Sequence, residues 1–239
     1  MIPKVIHYCW FGGKEKSRDI ETFIETWKAT NPDFLIKEWN ENNFDIHSIQ
    51  FVEEAYEAGK FAFVSDVVRL YALLTEGGVY LDTDVELLHP FPTEILSQRS
   101  FVGFERSRQL MVGTAVIGTE RNHPFWKTFF ERYKIRHFKK IDGGLNMTPN
   151  VDYLTEVFLK DGLKQNNQKQ KINDVTIYPY EYFSPKNYTT KRIDITENTI
   201  SIHHFSATWQ PLWKKILLRV WVPLSVKFPH FTQFIKRYF

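Results

Sequence analysis

FAFVSDVVRLYALLTEGGVYLDTDVEL, residues 61–87, is the stretch on which the fold of this 239-residue chain turns. Phe63, Val67, Leu70, Tyr71 and Leu74 recur at helical intervals, so the spacing predicts a helix over 64–76, with Ser65-Asp66 at its opening. Gly77-Gly78 supplies a left-handed stop. Residues 79–88 then alternate as a strand. Val79, Leu81 and Val85 form its apolar side; Tyr80, Asp82, Asp84 and Glu86 form the other.

Four charged residues in this stretch are candidates for chemistry. Asp82 and Asp84 close an apolar strand, and if the strand persists both carboxylates project from one side, with Cα atoms roughly 7 Å apart. One carboxylate can then ligate a hard divalent cation while the other holds it through water or contacts a ribose. The alternative is a solvated acidic turn. Asp66 and Arg69 stand three apart and share a helix face. An exposed ion pair of this kind contributes roughly 0–1 kcal/mol. Between FAFV and LYALL, however, a carboxylate and a guanidinium suit the binding of sugar hydroxyls or phosphate.

Outward from this centre, Val5 to Trp10 reads as a buried strand ended by Gly12-Gly13. Ile20 to Thr30 has helical spacing, and Phe34 to Trp39 is a second strand. Strand, helix and strand in the first forty residues indicate a nucleotide-binding α/β unit. Trp10 follows its first strand, where an indole either stacks on a nucleobase or packs in the core. Helices are expected over 51–58 and 124–133, and strands over 101–104, 115–117, 175–178 and 199–204. The Gln/Asn/Lys-rich segment 164–171 reads as a loop. His203 and His204 end the last strand on opposite sides, so at most one of them faces a site.

Composition narrows the classes. A single cysteine, Cys9, excludes an internal disulfide framework and a cysteine-based metal cluster. The chain holds no run of about 18 apolar residues, and its opening, MIPKVIHYCWFGGK, lacks the features of a signal peptide. A cytoplasmic location is therefore expected. Residues 205–239 carry six cations and no acid, against a net charge of +3 for the whole chain, so the remainder is net acidic. A uniformly basic nucleic-acid binder would not divide its charge this way, and no nucleic-acid partner is expected.

IPKVIHYCWFGG (2–13), the 61–87 stretch and ISIHHFSATW (200–209) together resemble glycosyltransferase family 32, the DXD-region sugar transferases of capsular polysaccharide synthesis type. The resemblance implies a GT-A fold: a Rossmann-like central mixed sheet flanked by helices, with nucleotide and metal at the strand ends. It implies a retaining hexosyltransferase using a UDP- or GDP-linked donor, a glycan or lipid-linked acceptor, and Mn2+ or Mg2+. It implies Trp10, Phe11, Gly12 and Trp209 around the nucleotide sugar, and Asp66 and Arg69 near the donor sugar and phosphates. Asp84 is the implied direct metal ligand, Asp82 bridges ribose and metal, and His204 is the third ligand, with His203 in reserve. Glu105 carries no assigned role.

Three other classes fit the sequence less well. A haloacid-dehalogenase-type phosphatase wants Thr or Val where Glu86 stands. A nucleotidyltransferase wants a Gly-rich, Arg/Lys-bearing loop near the N-terminus, which is not seen. A non-catalytic carbohydrate-binding module remains, although every polar residue expected of the enzyme is present.

The domain reading is a catalytic unit over 1–210 and a basic, aromatic segment over 211–239, broken into short helices by Pro223 and Pro229. Leu212, Ile216, Leu217 and Val220 form an apolar stripe, with Lys214, Lys215 and Arg219 largely off it. The segment's aromatics can pack against the catalytic unit with the cations solvated; the contact expected here is with the headgroup layer, each cation contributing about 1 kcal/mol near anionic lipid. Full-length protein should therefore pellet with anionic but not neutral vesicles and release at high salt, and a chain ending at Gln210 should lose this binding. Indifference to anionic vesicles at low salt rules the contact out.

Overall fold

The computed structural model describes residues 1–106 and 109–206. The basic segment 211–239 and Trp209 lie outside these residues. The chain runs β1 (Val5–Cys9), α1 (Arg18–Thr30), β2 (Leu35–Trp39), α2 (Gln50–Glu57), α3 (Phe61–Glu76), β3 (Gly78–Leu81) and β4 (Val85–Leu87). There follow α4 (Thr93–Leu96), β5 (Ser100–Arg106), β6 (Leu110–Thr119), α5 (Pro124–Lys134) and α6 (Asn150–Lys160). The last elements are β7 (Gln170–Ile172), β8 (Val175–Tyr178), α7 (Tyr180–Phe183) and β9 (Ser201–His203).

Seven strands form a mixed sheet in the order β2-β1-β3-β6-β5-β8-β7. β1 lies parallel to both β2 and β3, whereas β6 runs antiparallel to β3 and to β5. Alternation along each strand sends side chains to two cores. Val79 and Leu81 join Ile6, Ile24, Trp27 and Phe101 on one face, and Tyr80 joins Val67, Leu70, Ile117 and Phe129 on the other. The result is an α/β fold, a mixed sheet flanked by helices, as the GT-A expectation requires.

α3 is the central helix. Val64, Val67, Val68, Ala72 and Leu73 are all fully buried, each large side chain contributing about 1.5–3 kcal/mol. It packs on β1 and β3 from one side and against α2 and α5 from the other, which explains why its sequence is apolar nearly all round. The helix starts at Phe61, three residues before the predicted opening. Ser65 lies inside it, its hydroxyl donating back to the Phe61 carbonyl at 3.0 Å.

The strand expected over 79–88 is two strands. β3 belongs to the large sheet, and β4 pairs with β9 in a separate two-stranded sheet. The Asp82 amide donates to the Ala115 carbonyl at 2.9 Å, and the Asp82 carbonyl accepts from the Val85 amide at 3.0 Å, which closes a turn. β4 is then held by α1: the Trp27 indole donates to the Val85 carbonyl at 2.7 Å, and the Thr26 hydroxyl accepts from the Leu87 amide at 3.1 Å. The small sheet is thereby tied to the large one beside the aspartates.

Trp27 is fully buried, so its indole N–H has no water to replace Val85. Trp27→Phe should cost about 1–3 kcal/mol in denaturant unfolding, the penalty for leaving a buried carbonyl unpaired. A variant as stable as the parent would show that α1 does not anchor the small sheet.

Candidate active site

The parallel strands β1, β2 and β3 point their carboxyl ends the same way, and the register of Ile6 opposite Val79 and His7 opposite Tyr80 brings Trp10 and Asp82 to one end of the sheet. In an open α/β sheet this is where ligands bind. The turn after β3 then gathers side chains from four elements.

Arg69, on α3, is the hub. It is only 4% exposed. One terminal nitrogen, Nη2, lies 2.9 Å from Asp66 Oδ1 and 3.2 Å from Asp82 Oδ1. Nη1 donates to the Thr114 carbonyl at 2.7 Å, Nε donates to the Ser65 carbonyl at 3.2 Å, and the guanidinium lies 4.7 Å from the Tyr80 ring centre. The Tyr80 hydroxyl donates to the same Asp82 oxygen at 2.9 Å. Asp82 is thus fixed from two sides, and Arg69 works mainly as a buried strut.

The second aspartate is held by the end of β9 and the residues just after it. Asp84 Oδ2 accepts from the Ser206 amide at 2.7 Å, its carbonyl accepts from the His204 amide at 2.9 Å, and Oδ1 lies 3.4 Å from His203 Nε2. Asp82, Asp84 and His203 each present a donor atom within 4.8 Å of the others, an arrangement able to hold a metal ion. The histidine beside the aspartates is therefore His203. The ring of His204 is turned away: Nε2 pairs with Glu86 Oε2 at 2.8 Å, and the ring stacks on Phe23 with centroids 4.7 Å apart. This follows from β9 pairing with β4, Val85 opposite His203, which points His203 back at the turn.

The electrostatics follow from burial and pairing. Burial pushes the Asp66 carboxyl up to about 7, against the opposing pull of Arg69. Burial raises Asp82 too, again opposed by Arg69. Burial works to raise Asp84, but the His203 charge and the Ser206 amide outweigh it and hold the group below the usual carboxylate range. Burial works to lower His203, and the charges of Asp84 and Glu105 outweigh it, so its pKa is raised. Cys9, the only cysteine in the chain, is buried near this cluster, and burial pushes its thiol up to about 12, which leaves it an inert core residue.

The other expected residues divide. Trp10 is partly exposed beyond β1, its indole donating to the Lys14 carbonyl at 2.6 Å, with the Lys16 ammonium 5.8 Å from the ring centre. Phe11 is buried, packed edge-on against Phe44, so its ring belongs to the core. Gly12 is required by the backbone: φ is +92°, and a Cβ would fall 2.3 Å from the Phe61 ring. Glu105, one residue past the strand expected over 101–104, is a buried residue of β5 whose Oε2 lies 3.7 Å from His203 Nδ1. Its signal was a carboxylate ending the apolar run FVGFE.

The fold is an α/β mixed sheet flanked by helices, with the two aspartates of an Asp-Thr-Asp sequence and one histidine gathered at one end of it. The family described as "Glycosyltransferase sugar-binding region containing DXD motif" matches residues 17–102. Among curated proteins, the chain is 25% identical over 239 residues to "Putative glycosyltransferase HOC1" of Saccharomyces cerevisiae, covering 77% of this chain and 59% of that one. It is 29% identical over 129 residues to "Subversion of eukaryotic traffic protein A" of Legionella pneumophila, covering 42% of this chain and 20% of that one. The chain thus spans a fifth to three-fifths of these relatives. The family match and the yeast relative support a family-32-like glycosyltransferase assignment. Similar solved structures include "PaToxG Glycosyltransferase" at 18% identity and TM-score 0.44, covering 67% of this chain and 70% of that one. A glycosyltransferase involved in glycosylation of the major capsid of PBCV-1 is 9% identical at TM-score 0.49, covering 86% of this chain and 95% of that one.

The raised Asp66 gives a pH signature. In metal-free protein the folded state keeps the Asp66 proton to about 7, whereas the unfolded chain releases it near 3.8. Its stabilising contribution is therefore full below the lower value and lost as pH rises through the upper one. Denaturant unfolding between about pH 4 and pH 8 should show the parent losing stability relative to Asp66→Asn as the pH rises. Parallel curves would mean that Asp66 titrates as an ordinary carboxyl.

Proposed function

We propose that this protein is a metal-dependent, retaining glycosyltransferase that moves a hexosyl group from a UDP- or GDP-linked sugar to a glycan or lipid-linked acceptor. The observation that carries this reading is the convergence of Asp82, Asp84 and His203 at the end of β3, braced by the buried Arg69. Two carboxylates and an imidazole are a donor set suited to Mn2+, and with more reluctance to Mg2+, whose preference is for oxygen alone. Asp84 and His203 hold the ion, and Asp82, its Oδ1 committed to Arg69 and Tyr80, completes the site. A divalent cation there neutralises the charge that grows on the departing nucleoside diphosphate.

The protein's own groups supply recognition. Trp10 offers its face to the base beyond β1, and Asp66, whose side chain keeps 13% of its surface exposed, accepts from donor-sugar hydroxyls. Arg69 keeps both carboxylates in place and adds positive charge behind the phosphates. Retention, with the leaving phosphate assisting deprotonation of the acceptor, rests on the family resemblance. So does a role in bacterial surface polysaccharide synthesis at the inner face of the membrane, with residues 211–239 as the contact. Among the described residues no helix is long and apolar enough to cross a membrane.

Thermal shift with UDP and with GDP, each with and without Mn2+, tests the reading. One nucleotide should stabilise the protein only with metal, by about 2.7 kcal/mol at a hundredfold excess over its Kd. Asp84→Asn should abolish that gain, and His203→Ala should reduce it more than His204→Ala. If neither nucleotide stabilises the protein in Mn2+, or Asp84→Asn responds as the parent does, the proposal fails.

A further inference from the structure

Glu105 on β5 and His203 on β9 face each other inside the protein, their side chains 10% and 13% exposed. We propose that Glu105 is a positioning residue: its carboxylate engages Nδ1 of His203 and so fixes the ring with Nε2 presented beside Asp84. The inference rests on the reading of His203 as a metal ligand and names the group that orients it.

Three observations converge. His203 Nδ1 is buried and has no hydrogen-bond partner, a costly state for a ring nitrogen. The facing group is Glu105 Oε2, at 3.7 Å, a few tenths of an ångström beyond hydrogen-bond length. The carboxylate is itself shaped into place: a Cβ on Gly113, across the β5–β6 pairing, would fall 2.9 Å from Glu105 Oε2. Glycine at 113 is what leaves room for it.

The rest of the ring's surroundings leave this task to Glu105. Phe205 lies against the imidazole with centroids 4.0 Å apart and offers no acceptor. Asp84 faces the other nitrogen, Nε2. Asp152, on the first turn of α6, is a charged neighbour of Glu105 and is raised by burial and by that charge. With Nδ1–H donated to a carboxylate, the ring's tautomer and tilt are set, and Nε2 keeps its lone pair for a cation. Glu105 is also a side-chain link from the large sheet to β9, so the metal site would be gauged against both sheets at once.

The test uses the full chain as parent, Glu105→Gln and Glu105→Ala. Glutamine keeps an acceptor oxygen for Nδ1–H; alanine removes it. Mn2+ affinity, read from the loss of the free-ion electron paramagnetic resonance signal, should fall by about 10–100-fold in Glu105→Ala and by less than about threefold in Glu105→Gln. In metal-free protein carrying 15N-histidine, the Nδ1–H proton of His203 should be visible in the parent and in Glu105→Gln, and lost to exchange in Glu105→Ala. Parental Mn2+ affinity and an unchanged His203 resonance in Glu105→Ala would overturn the proposal. Equal damage from Gln and Ala would also overturn it, since the charge and not the acceptor would then matter. If the parent itself takes up no Mn2+, the metal reading falls, and the nitrogen-bound proton still decides whether Glu105 holds His203.

Discussion

A guanidinium held inside an apolar helix is the constraint around which this molecule is organised. Arg69 has almost no access to water, so its charge has to be met by the protein. It is met by Asp66 from the same helix, by Asp82 from the end of β3 and by the carbonyl of Thr114 on β6. Removing one partner of such a set leaves an uncompensated buried charge, a loss of about 3–5 kcal/mol. The arginine therefore fixes where the first aspartate can be, and with it where β3 ends.

That ending has consequences further along the chain. Because Asp82 is committed to Arg69 and Tyr80, the backbone turns there, and β4 leaves the large sheet to pair with β9. The turn brings Asp84 under the amides of His204 and Ser206. α1 clamps β4 through Trp27 and Thr26. Elements more than a hundred residues apart in sequence thus share one turn, and the position of each carboxylate is set by backbone groups that cannot move independently.

Much of this was legible because the relevant signals are local. The helical spacing before Gly77-Gly78, the apolar strand after it and the misplaced charges at 66 and 69 are all visible in one stretch. The break at Asp82 was not, because the three residues of the turn preserve the alternation: Val79, Leu81, Val85 and Leu87 all enter the same core, as one continuous strand would have them do. α6 follows the stretch LNMTP, where Pro149 precedes the helix, and its buried Leu154 and Phe158 are too few to announce themselves. β7 begins within a Gln/Asn/Lys-rich segment and owes its existence to pairing with β8, a long-range fact that local composition does not carry. Glu105 was visible as a residue but not as a partner of His203, since ninety-odd residues separate them.

The two adjacent histidines show how topology resolves what sequence leaves open. On a strand they must face opposite ways, and the strand's partner decides which one looks inward. Pairing with β4 sends His203 to Asp84 and Glu105 and sends His204 to Glu86 and Phe23. The outward histidine is not idle, since its ring ties β9 to α1 while its amide holds the carbonyl of Asp84. Phe205 follows with φ of +54°, a conformation that costs a bulky residue about 1–3 kcal/mol. In that conformation its ring lies against His203, and the next amide, Ser206, meets the Asp84 carboxylate. Strain in the chain at 205 is thus the local condition for both contacts, and His203 with the three residues that follow it completes the site begun by α3.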